Sequence, residues 1–230
     1  MRFFLFLCFT LNIAFADIPD IPSSFKDYKS YTFGEELDFY LFLSPKLSKN
    51  AKFIKNKNQK SLHLKLLNKS IEIGFSLGES DDYNFIITFK NSQKTLVLYA
   101  ESMFLSERGF VYTVKRTNEI YTKYQKFKLV DERFKEVQQP YAKVGKVCHT
   151  SNLTNIYSEE CGRGHIVATI PKGKSIEVLI GDTKNRCGNE GMIKEYLVQT
   201  SFGLIGWVSS SNGYMERVGN PLSCLMYEGD

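Results

Sequence analysis

The chain has 230 residues, of which 43% are hydrophobic and 14% aromatic, and its formal net charge is +5 at pH 7. This length allows one large or two small domains, each able to bury a core. Beyond an apolar leader, no segment approaches the roughly 20 apolar residues of a membrane helix, which excludes a helical membrane-spanning protein. The aromatic content, with abundant Ile, Val, Leu and Thr, favours β structure over helix.

The first residues are typical of a secretory signal peptide. Arg2 supplies a positive charge, residues 3–13 are almost wholly apolar, and Ala14-Phe15-Ala16 is a small-x-small cleavage site. A buried N-terminal helix or strand is the alternative, but charged, proline-bearing sequence follows at once. Cys8 lies too close to the start for a lipoprotein signal, because no apolar region precedes it. We expect residues 1–16 to be removed and the soluble mature protein to be periplasmic or secreted.

Residues 17–140 carry the pattern of an antiparallel β-rich domain. After an extended leader, short apolar runs alternate with turn-forming residues at the spacing of about 8–12 residues that all-β architectures show. The predicted strands are 37–43, 61–67, 70–76, 83–89, 94–100, 110–115, 121–129 and 134–137. Asp131 begins a predicted tight turn, and the 96–105 region fits either a strand or a short helix. The expected architecture is a meander or sandwich.

A run of lysines lies between Asp38 and Glu72 with no carboxylate among them. Its members are Lys46, Lys49, Lys52, Lys55, Lys57, Lys60, Lys65 and Lys69. Such uncompensated charges attract anionic polymers. The candidate polyanion contacts are Lys49, Lys52, Lys55, Lys57 and Lys60. A solvated loop is the alternative, since asparagines lie among the lysines, and nucleic acid is not expected because Arg is scarce and no recognition motif accompanies the run.

A domain boundary is predicted at Gln139-Pro140, where proline ends the preceding strand. Residues 17–146 hold 22 Lys or Arg against 16 Asp or Glu, a net charge of +6. Residues 147–230 hold 7 against 9, a net charge of −2. We therefore expect residues 141–230 to form a second domain, and the basic character to belong to the first.

The second region contains four cysteines, which are Cys148, Cys161, Cys187 and Cys224. An even number in an exported protein indicates two disulfides, with three possible pairings. Zinc is the alternative, but the spacings of 13, 26 and 37 residues contain no Cys-x-x-Cys knuckle. We expect two disulfides and no metal.

The second region also contains a Lys172-Gly173 turn and a closing Gly206-Trp207-Val208 segment. The strand-like runs around them are 153–157, 166–170, 176–179 and 196–200. In this order they resemble the bacterial SH3-like domain over residues 144–212. The 155–161 segment departs from the family pattern, and the polar 181–191 loop is longer than a hairpin needs. Gly173 and Gly206 suit tight turns or close backbone approach. The resemblance implies a small barrel that tethers exported proteins to cell walls or partners.

The resemblance also implies a groove lined by Tyr157, the 181–191 loop and Trp207, with Tyr196 and Lys172 as further candidate ligand contacts. Aromatic rings offer a flat apolar face, which suits a glycan or an extended peptide. A core position for Trp207 is the alternative. The expected partner is peptidoglycan, a wall peptide or an envelope protein, and no cofactor is expected.

Catalytic signals are nearly absent. The histidines are His63, His149 and His165, and pairing one with a cysteine nucleophile would require a thiol that export tends to oxidise. No Gly-x-Ser-x-Gly, His-Glu-x-x-His or phosphate-binding loop occurs. The sequence therefore predicts a non-enzymatic binding protein of the cell envelope. The alternatives are an accessory or inhibitory module acting on a wall hydrolase, or a basic adhesion protein that binds an anionic polymer.

Overall fold

The computed structural model describes residues 21–33, 40–56, 59–78, 83–117, 120–184, 187, 195–210 and 220–225. The predicted signal peptide, including Cys8, and Lys57 of the lysine run lie outside the described residues. Within those ranges, no helix has the length and apolarity needed to cross a lipid bilayer.

The described chain is built almost wholly of strands, which confirms the predicted all-β class. Its first elements are a 3₁₀ turn at Ser23–Phe25, β1 Lys29–Thr32, β2 Tyr40–Leu43, α1 Pro45–Ser48, β3 Lys52–Asn56, β4 Gln59–Leu66, β5 Lys69–Leu77, β6 Tyr83–Phe89, β7 Thr95–Tyr99, β8 Ser102–Leu105 and β9 Phe110–Arg116. The remaining strands are β10 Thr122–Val130, β11 Arg133–Glu136, β12 Tyr141–His149, β13 Thr154–Glu159, β14 Arg163–Ile170, β15 Ser175–Asp182, β16 Glu195–Thr200 and β17 Ile205–Ser209.

Two sheets form the N-terminal part. Sheet 1 has the order β1-β2-β8-β9-β10-β11, and sheet 2 is the consecutive meander β3-β4-β5-β6-β7. The expectation of wholly antiparallel pairing is wrong at one place, because β2 and β8 are parallel, with Leu41 beside Met103. A parallel pair needs a long crossover connection. Here α1 and the whole of sheet 2 provide that connection.

Sheets 1 and 2 enclose one apolar core, which makes this part a sandwich. Strand alternation turns Leu62, Leu64 and Leu66 of β4 inward, and all three are buried. Leu41 and Met103 of sheet 1 belong to the same cluster. Aromatic residues cover the opposite face of sheet 1, where the rings of Phe42 and Phe104 stack with centroids 4.5 Å apart and Phe25 packs on Phe104 at 4.6 Å.

Tight hairpins join neighbouring strands. Leu67 and Asn68, between β4 and β5, have φ of 49° and 64°, and Asp131 and Glu132, between β10 and β11, have φ of 49° and 55°. Two consecutive positive φ values are the mark of a type I′ turn. The predicted turn at Asp131 is therefore present.

The turn between β10 and β11 ties sheet 1 to the turns of sheet 2. Glu132 Oε1 lies 2.7 Å from Lys69 Nζ, and Ser92 Oγ donates to Glu132 Oε2 at 2.7 Å. These contacts hold the pKa of the Glu132 carboxyl below its ordinary value.

Sheet 3 follows Pro140 and has the order β12-β15-β16-β17-β13-β14. Its strands occupy the positions that the sequence predicts, and β12 is an addition. Ile156, Val178, Val198 and Val208 form its core with other apolar residues. Gly173 lies in the turn before β15 with a φ of 78°.

Two disulfides brace this region, as the four cysteines predict. Cys148 of β12 pairs with Cys224, and Cys161 of the β13–β14 turn pairs with Cys187, with Cα atoms 5.5 and 5.3 Å apart. Disulfides are typical of proteins in an oxidising, extracytoplasmic environment.

The sandwich contributes two residues to the core of sheet 3. Ile120, in the connection between β9 and β10, is 2% exposed and belongs to the sheet 3 cluster, and Tyr121 packs against the same cluster. The sandwich and sheet 3 therefore share packing across the predicted boundary at Gln139-Pro140.

Candidate binding cleft

An open cleft lies where sheet 1 meets sheet 3. It has a volume of about 1080 Å³, and its walls come from β10, residues 136–139, β12 and the start of the loop after β15. We call it the β10–β12 cleft. Its most prominent lining residues are three tyrosines and three lysines, namely Tyr121, Tyr124, Tyr141, Lys123, Lys143 and Lys184. A cleft of this size at a junction between units is a common setting for a ligand.

Aromatic side chains continue from the cleft onto the outer face of sheet 3. Tyr124 of β10 is 50% exposed. The ring of Tyr141 lies 6.1 Å from that of Trp207, and Trp207 is directly opposite Tyr157 in the β13–β17 pair. Val208 is in the core, so strand alternation places the half-buried Trp207 on the outer face. Tyr141, Trp207 and Tyr157 therefore form one aromatic row.

Hydrogen bonds fix the wall of the cleft next to sheet 3. Thr183 N–H donates to the carbonyl of Pro140 at 3.1 Å, and Thr183 Oγ1 donates to the carbonyl of Gln139 at 2.9 Å. The Lys184 N–H donates to Oδ1 of the buried Asp182 at 3.0 Å. These bonds attach the end of β15 to the segment that leads into β12, so the wall is preorganised.

The cleft is electropositive. Within the described part of the chain, none of Lys123, Lys143 and Lys184 makes an ion pair. The carboxylate in the lining is Glu136, which accepts a hydrogen bond from Gln125 Nε2 at 2.8 Å. Because the lysines outnumber this carboxylate, the cleft favours an anionic ligand.

The predicted ligand contacts divide between four places. Tyr157 and Trp207 lie on the outer face of sheet 3, and residues 183–184 of the predicted loop line the cleft, while most of the rest of that loop lies outside the described residues. Tyr196 is 4% exposed and lies in the core, because the alternation of β16 turns it inward beside Val198. Lys172 is exposed in the turn between β14 and β15 and does not line the cleft.

Most described members of the lysine run lie on strands or on α1 and not in a loop, although most of them are exposed to solvent. Lys52 and Lys55 are in β3 and Lys60 is in β4, with Lys49 just after α1. Lys55 is directly opposite Lys60, whereas Lys52 is opposite His63. Because side chains alternate along a strand, Lys52 and Lys55 point to opposite faces. The run therefore does not form one continuous basic surface.

A Ser–His–Glu cluster that sequence reasoning missed lies on the outer face of sheet 2. Ser61 Oγ is 3.1 Å and Glu72 Oε1 is 3.5 Å from the same atom, His63 Nε2. A catalytic triad needs the hydroxyl and the carboxylate on different ring nitrogens, so this cluster cannot relay a proton between them. A hydrogen bond from Lys90 lowers the pKa of Glu72 and keeps it ionised. The sequence could have indicated part of this cluster, because Ser61 and His63 are two residues apart on a strand and therefore share a face.

Sequence reasoning also missed the cleft residues on β10 and β12. Tyr121, Lys123 and Tyr124 precede the predicted boundary, and Tyr141 and Lys143 follow it. No local pattern joins these residues, because only the packing of sheet 1 against sheet 3 brings them together. In the described residues, no group of three His, Cys, Asp or Glu side chains is placed to hold a metal ion.

Comparisons with known proteins found no relative. No protein-family model, no curated protein and no solved structure matches this chain.

Proposed function

We propose that this chain is an exported, non-enzymatic binding protein of the bacterial cell envelope, whose SH3-like C-terminal region helps to dock peptidoglycan, a wall peptide or a protein partner. The observation that carries the proposal is the β10–β12 cleft, with its exposed Tyr124 and its three lysines, for which the described residues offer no ion pair. The two disulfides and the signal-peptide pattern support the envelope location.

The chemistry of the cleft favours binding over catalysis. Tyrosine rings supply apolar area and a hydroxyl, and lysines supply diffuse positive charge, both of which are common in recognition surfaces. Nucleophilic catalysis needs a nucleophile within hydrogen-bond reach of a base. In the Ser61–His63–Glu72 cluster the hydroxyl is within reach of the imidazole, but the carboxylate lies on the same ring nitrogen and cannot orient the base as a triad requires, and the cluster lies on the outer face of sheet 2.

The experiment is a pull-down of the purified, oxidised full-length mature protein with peptidoglycan sacculi and, separately, with solubilised envelope proteins. We expect the wild-type protein to be retained by one of the two, and Tyr124→Ala to reduce retention. Tyr99→Ala is the matched control, because Tyr99 is similarly exposed at 54% but lies in sheet 2. Equal retention of wild type and Tyr124→Ala, or no retention by either material, would reject the cleft as the docking site.

A further inference from the structure

The first half of β10 has an open edge. β10 pairs with β9 along residues 122–128, but it pairs with β11 only along residues 127–130. The carbonyl of Lys126 accepts a hydrogen bond from Val137 N–H at 2.8 Å, on the side of β11. Because peptide groups alternate along a strand, those of Thr122 and Tyr124 point to that same side. There, no backbone partner for them occurs among the described residues.

The opposite wall of the cleft is also a strand edge. β12 is the terminal strand of sheet 3 and pairs with β15 alone. Its pairing register shifts between Lys143 and Lys146, where Gly145 has a φ of 66°. Such irregularities protect an edge from extension. In β10 the register with β9 is regular, so the edge suited to an added strand is that of β10.

The side chains at the open edge specify the chemistry of an added strand. Along β10, Lys123 and Gln125 share one face and Thr122 and Tyr124 share the other. Lys143 and Lys184 line the same cleft. An added strand therefore meets positive charge on one side and a half-exposed aromatic ring on the other.

We propose that the β10–β12 cleft binds an extended, acidic segment of a partner protein, which adds as a strand to the edge of β10 at residues 122–125. Its carboxylates contact Lys123, Lys143 and Lys184, and its alternate apolar side chains pack on Tyr124. This inference rests on the proposed function as a binding protein and names the partner's chemistry. A row of backbone donors and acceptors with a repeat of two residues matches a peptide and not a sugar chain.

The experiment measures fluorescence anisotropy of labelled nonapeptides titrated with the oxidised full-length mature protein. The probe alternates Glu and Val, and the charge control alternates Lys and Val. Two further probes carry backbone N-methyl groups at alternate residues, in one register or in the other. We expect the Glu probe to bind at least about tenfold more tightly than the Lys probe. One N-methylated register should lose binding and the other should keep it, because only alternate amides face β10.

Variants of the protein test the charge contacts. Lys123→Gln, Lys143→Gln and Lys184→Gln should each weaken binding of the Glu probe by about threefold, as expected for exposed ion pairs. The difference from wild type should shrink in high salt. Lys172→Gln is the matched control and should bind as wild type does, because Lys172 lies outside the cleft.

Any other outcome of these binding measurements overturns one proposal or both. Binding that is unaffected by the three lysine variants, or equally impaired by both N-methylated registers, overturns strand addition of an acidic segment at β10. Retention of sacculi that depends on Tyr124, without binding of the Glu probe, also overturns it but leaves the proposed function standing. Failure to bind the probe, sacculi and envelope proteins removes both proposals.

Discussion

The sandwich and sheet 3 are stabilised by different kinds of interaction. The sandwich encloses a core between two sheets, and its strands contain no cysteine. Sheet 3 has a smaller apolar cluster, and both disulfides lie within it or at its margin. A small core buries too little apolar area to offset chain entropy on its own, so the disulfides supply the additional stability. The contrast predicts that the two units respond to different perturbations.

The largest effect should follow removal of the Cys148–Cys224 disulfide, which closes a loop with a sequence separation of 76. Cys148→Ala with Cys224→Ala should lower the free energy of unfolding of sheet 3 by about 4–5 kcal/mol on a chain-entropy basis. Trp207 is the only tryptophan of the chain, so its fluorescence in urea reports on sheet 3.

The matched variant for this comparison is Leu62→Ala in the sandwich, where Leu62 is fully buried. A cavity at such a position costs about 3 kcal/mol. We expect it to move the far-UV circular dichroism transition more than the Trp207 transition. If both variants move the two transitions equally, the units unfold as one and the contrast fails.

A second, smaller effect concerns close backbone approach in sheet 3. A Cβ on Gly206 would lie 2.5 Å from the carbonyl oxygen of Tyr157 and 2.6 Å from Ile156 Cγ2. Gly206→Ala must therefore push β13 away, at a cost of about 2 kcal/mol measured by Trp207 fluorescence in urea.

Gly74→Ala in sheet 2 is the control, because nothing lies within 4 Å of a Cβ there. Its free energy of unfolding should change by less than about 0.5 kcal/mol. Similar losses in both variants would contradict the steric explanation.

The smallest effect is electrostatic and belongs to the sandwich. Hydrogen bonds from Lys69 and Ser92 lower the pKa of Glu132 from its ordinary 4.5. A lowered pKa stabilises the fold above the unfolded-state value, and the stabilisation is lost as the pH falls through the folded-state value. Glu132→Gln should therefore reduce the melting temperature slightly at pH 7. The difference from wild type should begin to shrink as the pH drops below about 4.5 and should disappear once the pH lies below the lowered folded-state pKa.

The control for this variant is Glu159→Gln, since Glu159 is exposed and lies in sheet 3. Melting curves of both variants between pH 3 and pH 7 give the comparison. A loss for Glu132→Gln that grows towards acid would show that the carboxylate has no such role.

Local patterns made the long strands predictable. β6 coincides with its predicted range of 83–89, and β5, β9 and β10 lie within two residues of theirs. The 96–105 region, which fitted either a strand or a helix, contains the apolar strand β8. The other strands outside the predicted ranges, β1, β3 and β12, are rich in lysine or polar residues. Such strands lie at sheet edges, where side chains need little burial and apolar alternation is weak. The parallel pairing of β2 with β8 depends on contacts between residues that are far apart in sequence, so no short stretch of sequence predicts it.

The candidate site was predictable only in part. Tyr157 and Trp207 were identified from aromatic type, and both lie on the outer face of sheet 3. The inward position of Tyr196 follows from the phase of β16, which requires knowing which neighbours form the core. Of the β10–β12 cleft, the sequence indicated only residues 183–184 of the 181–191 loop, because the rest of its lining is brought together by packing between strands that belong to different sheets.

The insertion of Ile120 into the sheet 3 cluster has a consequence for the order of folding. Ile120 belongs to the β9–β10 hairpin, yet it fills space among residues that follow it in the chain. Because β9 and β10 precede sheet 3 in the chain, we expect Ile120 to be available as an apolar surface when β12 and its neighbours pack. The Cys148–Cys224 disulfide can close only after the strands between these two cysteines have been synthesised. A fragment that begins at residue 141 would lack that surface and would expose an unfilled apolar hole.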